Sequence, residues 1–148
     1  MTNVFIPDTP YHAEFYIGHN QPVIPIEVED VHGLWRTHYF LFDSGNDRTI
    51  ISRNTAQSLG FNPDEGAEII VGGVVKGVTK TAKLRLGARM KIGNCLPIKL
   101  DLMMMDTDVN LLGREVVFRG FDIILSNDGK LIFVQGNTDF SSDFNISA

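Results

Sequence analysis

The residues best placed to do chemistry in this chain are Asp43, Ser44 and Gly45. They end the apolar run Tyr39-Phe40-Leu41-Phe42 and are followed by Asn46, Asp47, Arg48 and then Thr49-Ile50-Ile51. A buried strand that ends on an acid, turns at Gly45 and returns as an apolar segment holds that acid rigidly at the edge of a core. A carboxylate placed there costs free energy unless something nearby uses it or pairs with it. On its own the tripeptide is also good turn chemistry. What lifts it above a turn is a second group far down the chain, Val109-Asn110-Leu111-Leu112-Gly113-Arg114, where an apolar run again meets glycine and then a guanidinium.

The elements that must position these groups are short strands. Gln21 to Val28 reads as a strand and Trp35 to Phe42 as its hairpin partner, joined around Asp30-Val31-His32-Gly33. Pro22 and Pro25 put the first of these at an edge or confine them to its ends. Asn54 to Gly60 predicts a short helix, with Gly60 closing it. Glu68 to Val71 and Val78 to Leu86 flank the glycine-rich tip Gly72-Gly73-Val74-Val75-Lys76-Gly77 and predict a long hairpin. Met90 to Gly93 and Leu96 to Met105 predict further strands, and Leu111 to Phe118 a second short helix. Phe121 to Leu125 and Leu131 to Val134 predict a last hairpin around Asn127-Asp128-Gly129. Residues 1–20 are expected to be an arm with at most a short strand, residues 21–135 the domain, and residues 136–148 a polar tail. The fold class is mainly β.

Bulk properties narrow the function. At 148 residues the chain is most simply one domain, without room for two full lobes. A net charge of -5 with no basic stripe argues against a nucleic-acid partner. The single cysteine, Cys95, excludes an intrachain disulfide framework and reads as a small packed residue. No stretch is long and apolar enough for a membrane span, and no signal peptide opens the chain. A cytoplasmic location, or release from a larger polyprotein, is the expectation.

Other candidates are weak. Gly72 and Gly77 have phosphate-loop spacing, but Val78 stands where the lysine must be. His12, His19, His32 and His38 lack a cysteine or acid to complete a metal set. Met103-Met104-Met105 is core or pocket lining, and Asp106-Thr107-Asp108 is a solvated loop. No cofactor or metal is expected.

Taken together, these residues resemble the retropepsins, the single-lobe aspartic proteases of retroviruses, retroelements and some cellular and bacterial relatives. The likeness runs over residues 21–135, with its motifs in the family's order. It implies a closed β-barrel of the acid protease fold with one or two short helices and a flap hairpin. It also implies an aspartic endopeptidase acting on peptide or protein substrates. Asp43 would be the catalytic acid, and because only one such motif exists per chain, the second carboxylate would come from a second copy in a homodimer. Ser44, Gly45 and Asn46 would complete the active-site loop. Asp47 and Arg114 would form a bracing ion pair, and its loss would cost about 3–5 kcal/mol if the pair were buried. Gly113 would let the helix after it approach closely, and Gly72, Gly73, Val74 and Val75 would bind substrate from the flap.

The chain departs from the pattern at Ser44, where retroviral members usually carry threonine, and at Asn46, where they carry a small alanine. Asn46 keeps open an alternative: a catalytically inactive dimerisation or peptide-binding module of the same fold.

Overall fold

The computed structural model describes residues 11–72, 79–114 and 120–136. Ten strands and one helix lie wholly within these segments, and Arg114 and Gly120 are also helical. In chain order they are β1 (His12–Tyr16), β2 (Val23–Glu29), β3 (Trp35–Phe42), β4 (Ile50–Ser52), α1 (Arg53–Ser58), β5 (Ala67–Gly72), β6 (Thr79–Lys91), β7 (Ile98–Met105), β8 (Asn110–Leu112), β9 (Phe121–Leu125) and β10 (Lys130–Gln135). The protein is mainly β, as its alternating patterns predict.

Seven strands form one sheet in the order β2-β3-β8-β4-β7-β6-β5. A further pairing of β2 with β6 rolls six of them into a closed barrel, leaving β5 outside on β6 as one arm of a projecting hairpin. The closing seam is short: Glu27 faces Lys91 and Val28 faces Met90. Charges reinforce it, with Lys91 3.4 Å from Glu27 and Arg89 2.9 Å from Glu29. The Lys91 ammonium also lies 4.8 Å from the ring centre of Trp35. Pro25 sits in the half of β2 that pairs with β3 alone, so its missing N–H removes no seam bond.

Period-two patterning fills the barrel. Ile24, Ile26 and Val28 of β2, Phe40 of β3, and Ile98, Leu100 and Leu102 of β7 all point inward and are buried. Met104 joins this core, whereas Met103 and Met105 join Ile50 and Ala82 in a second cluster below the β5–β6 hairpin. A separate three-stranded sheet, β1-β10-β9, covers one end of the barrel. Its Phe133 receives Phe15, Phe42 and Phe121 edge-on at 5.9, 5.8 and 6.0 Å, so the residue preceding Asp43 is propped by the covering sheet.

Local chemistry explains the ends of elements. Ser52 caps α1 by accepting the Thr55 amide at 3.1 Å, and Gly60 beyond its end takes a φ of +80° that other residues adopt only with strain. At the β2–β3 turn, Asp30 accepts the amides of His32 and Leu34 at 2.8 and 2.9 Å and the Arg36 guanidinium at 2.9 Å.

Two expectations need correction. Leu111 and Leu112 lie in β8 and not in a helix, because a parallel partner in β3 and an antiparallel one in β4 take up their backbone groups; residues 115–119 are outside the described segments. Met90 and Lys91 do not start a new strand but end β6, which continues through an irregularity between Arg85 and Ala88. The segment expected to hold at most a short strand contains the five-residue β1, which pairs along its whole length with β10.

Candidate active site

Asp43 stands at the point where β3 leaves the barrel. The parallel pairing of β3 with β8 runs from Phe40 opposite Asn110 to Phe42 opposite Leu112, and the Asp43 amide continues it by donating to the Leu112 carbonyl at 3.1 Å. Beyond Asp43 the chain turns back at once: the Asn46 amide donates to the Asp43 carbonyl at 3.1 Å. The Gly45 amide donates to Asp43 Oδ1 at 3.0 Å, so one carboxyl oxygen is oriented by its own loop. No described residue bonds the other oxygen. Asp43 is a half-buried residue, beside the exposed Ser44 and Gly45.

Gly45 owes its place to space, since its φ is not in the left-handed region. A Cβ there would stand 3.3 Å from Asp43 Oδ1, crowding the carboxylate oxygen that its amide holds. Asn46 does two things for the loop. Its side-chain oxygen accepts the Arg48 amide at 3.3 Å, and its carbonyl accepts the Arg114 amide at 2.8 Å. The side chain that departs from the small residue of the retroviral pattern is thus turned back onto the loop.

Residues 112–114 clamp this loop from below. Besides the bonds from Leu112 and Arg114, the Gly113 amide donates to the buried Thr49 hydroxyl at 3.1 Å. Gly113 makes its close approach to the Arg48 backbone, where an added Cβ would overlap the carbonyl carbon and oxygen. The helix expected to benefit from that glycine falls on residues 115–119, outside the described residues; the neighbour seen is the backbone of Arg48 in the Asp43 loop. Arg114 Nη2 meets Asp47 Oδ1 at 2.6 Å. The pair is not buried, with side chains 49% and 73% exposed, so the 3–5 kcal/mol expected for a buried pair does not apply to the single chain.

Two features adjoin the segments that carry Asp43. One is a cleft of about 590 Å³ lined by Ile17, His19, Phe42, Ser44, Ile123 and Leu125 among others. The other is the second apolar cluster, in which Ile50 and Leu111 meet Val71, Ala82 and Leu84 of the β5–β6 hairpin. Gly72 is the last residue of β5, while Gly73, Val74 and Val75 lie outside the described residues.

Sequence reasoning missed two polar residues, Thr49 and Asn110. Both are buried and both bond to main-chain groups around the loop. The signal for Asn110 was present, as a carboxamide flanked by Val109 and Leu111. Among the described residues no group of three metal-ligating side chains converges, and no helix is long and apolar enough to cross a membrane.

Comparison with known proteins places the arrangement. A family model described as aspartyl protease matches residues 24–116, which contain Asp43, the clamp and the hairpin. Among solved structures, the EIAV protease complexed with the inhibitor HBY-793 superposes with a TM-score of 0.56 at 19% identity, over 68% of this chain and 88% of that one. At that identity the likeness establishes the fold, that of a retroviral protease. No curated protein matches the chain.

Proposed function

The chain belongs to the aspartyl protease family, and we propose that it is an aspartic endopeptidase whose active form is a homodimer. The observation that carries this reading is the Asp43 carboxyl, oriented through one oxygen, open at the other, and fixed on a loop clamped by residues 112–114.

Hydrolysis by this route needs one carboxylate to take a proton from water and one carboxylic acid to give a proton to the scissile carbonyl oxygen. This chain contributes Asp43 as the first, and the partner subunit's Asp43 supplies the second. Two carboxyls in contact cannot both ionise, so they share one proton and titrate as a pair, as they do in aspartic proteases generally. Water adds to the carbonyl carbon while the ionised Asp43 takes its proton and the partner's Asp43 protonates the oxygen. Asp43 then passes its proton to the amide nitrogen while the partner's Asp43 takes one back from a hydroxyl of the intermediate, so the C–N bond breaks and a carboxylic acid and an amine leave.

The substrate is an extended peptide passing between the Asp43 loop and the β5–β6 hairpin. Residues 72–75 bind it from above by main-chain bonds, and apolar side chains near the cut fill pockets beside Phe42, Ile50 and Leu111. Residues 21–135 form the catalytic domain in this reading, Ser44 links the two loops across the axis, and the Asp47–Arg114 pair braces each one.

The test is digestion of an unfolded polypeptide at about pH 4 to 6, where a shared-proton carboxyl pair is active, with and without a statine-type inhibitor. Cleavage should be inhibitor-sensitive, should fall on dilution as the dimer dissociates, and should vanish in Asp43→Asn without loss of fold. A well-folded Asp43→Asn protein that cleaves at the wild-type rate, or an active strict monomer, overturns the reading. A stable dimer with no cleavage at all would identify the inactive binding module instead.

A further inference from the structure

We propose that Asn110 is a positioning residue whose carboxamide fixes the gap between the two strands that carry the Asp43 loop. That role rests on the protease reading, but the local restraint can be tested without it. β8 lies between β3, which delivers the chain to Asp43, and β4, which receives it after Thr49. The two neighbours run past β8 in opposite senses, parallel on one side and antiparallel on the other. With β4 the ladder has a single register pair, Ile50 with Leu111. Main-chain bonding is therefore thin where the loop is anchored.

The Asn110 side chain makes up the difference. Its Oδ1 accepts the Ser52 amide at 2.8 Å, and its Nδ2 donates to the Tyr39 carbonyl at 3.1 Å. It behaves as an inserted peptide group bridging β3 to β4 across the base of the loop. Its orientation is unambiguous, because an amide N–H can only donate and a carbonyl can only accept. Asn110 is 8% exposed and Ser52 is 7% exposed, so water does not readily replace the bond between them, while the bond to Tyr39 is part-buried. A second tie lies directly above it, from Gly113 to Thr49 Oγ1. Through these contacts one buried side chain helps to set the separation of residues 39 and 52, and with it the placement of the loop between them.

Asn110→Asp tests this. Above the carboxylate range the variant keeps the Ser52 amide as donor but turns a buried, negatively charged oxygen toward the Tyr39 carbonyl, which loses its donor. Near and below an ordinary aspartate pKa of about 3.9, which burial moves upward, the neutral acid can again donate to Tyr39 and accept from Ser52. We expect kcat at about pH 6.5 to drop by about 10–100-fold with KM changed by less than about twofold, and to return toward wild type near pH 4. Asn110→Leu, of similar size but with neither polar end, should not recover at either pH. Amide hydrogen exchange in the same proteins should show faster exchange at Asp43, Asn46, Gly113 and Arg114 in Asn110→Asp at pH 6.5, with β9 and β10 unchanged.

Identical acid behaviour of the Asp and Leu variants, or wild-type exchange at those four amides in Asn110→Asp at pH 6.5, overturns the inference, as does a change confined to KM. If the wild-type protein cleaves nothing, the protease reading fails, and the exchange data alone decide whether Asn110 holds the loop.

Discussion

Gly113 lies against Arg48 so closely that no side chain could stand between them. A Cβ at position 113 would meet backbone atoms, which unlike the end of a flexible side chain cannot swing aside. The contact joins the β8 segment to the loop that carries Asp43.

Gly113→Ala should therefore displace the loop or fail to close it. We expect a loss of at least about 1–3 kcal/mol of stability, the usual range for overpacking, together with loss of peptide cleavage. Urea unfolding and a cleavage assay check both. A Gly113→Ala protein with wild-type stability would show that the loop can retreat freely, and the clamp would not be a rigid one.

Arg114→Ala should be mild in the isolated chain. The pair with Asp47 is exposed, and such pairs contribute about 0.2–1 kcal/mol and less in salt. The Arg114 amide bond to Asn46 survives the substitution. If the variant loses much more stability at low concentration, where monomer prevails, the pair matters beyond its exposure. If the loss appears only at concentrations that favour dimer, the partner subunit is what covers it.

Two groups make stability depend on pH in separate windows. The Asp30 carboxyl is held below its ordinary value by the Arg36 guanidinium first and the Leu34 amide next. Its contribution is complete above about pH 3.9, the unfolded value, and drains away as pH falls through the lower folded one. His38 is also held low, by burial first and then by Arg36. The folded protein resists charging it, so stability begins to fall as pH drops below about 6.5. Urea midpoints measured from pH 8 to 3 should flatten near neutrality in His38→Gln and at the acid end in Asp30→Asn. An unchanged profile in either variant would mean that its residue is not linked to folding.

Much of this architecture is legible in the sequence because period-two patterning is local. The β2–β3 hairpin, α1 with Gly60 behind it, and the final hairpin around Gly129 each follow from residues close in the chain. Asp43 also stood out, since a carboxylate ending an apolar run is conspicuous. What stayed hidden depends on distant partners. Leu111 and Leu112 look helical beside Gly113 and become a strand only because β3 and β4 flank them. β6 reads as two strands because its irregularity at Arg85 to Ala88 resembles a turn. Thr49 and Asn110 are small polar residues whose value lies in backbone groups dozens of positions away. The exposure of the Asp47–Arg114 pair could not be read from charge and spacing at all.

The two-rung seam between β2 and β6 has a kinetic consequence. It joins the first barrel strand to one far later in the chain, so closing it early would restrict a long loop in return for two rungs. It should form after the hairpins on either side of it. Val28 and Met90 face each other there, both fully buried. Truncating either to alanine should then speed unfolding while leaving the folding rate nearly untouched, with φ-values near zero. High φ-values at that pair would make the seam a nucleus instead of a latch.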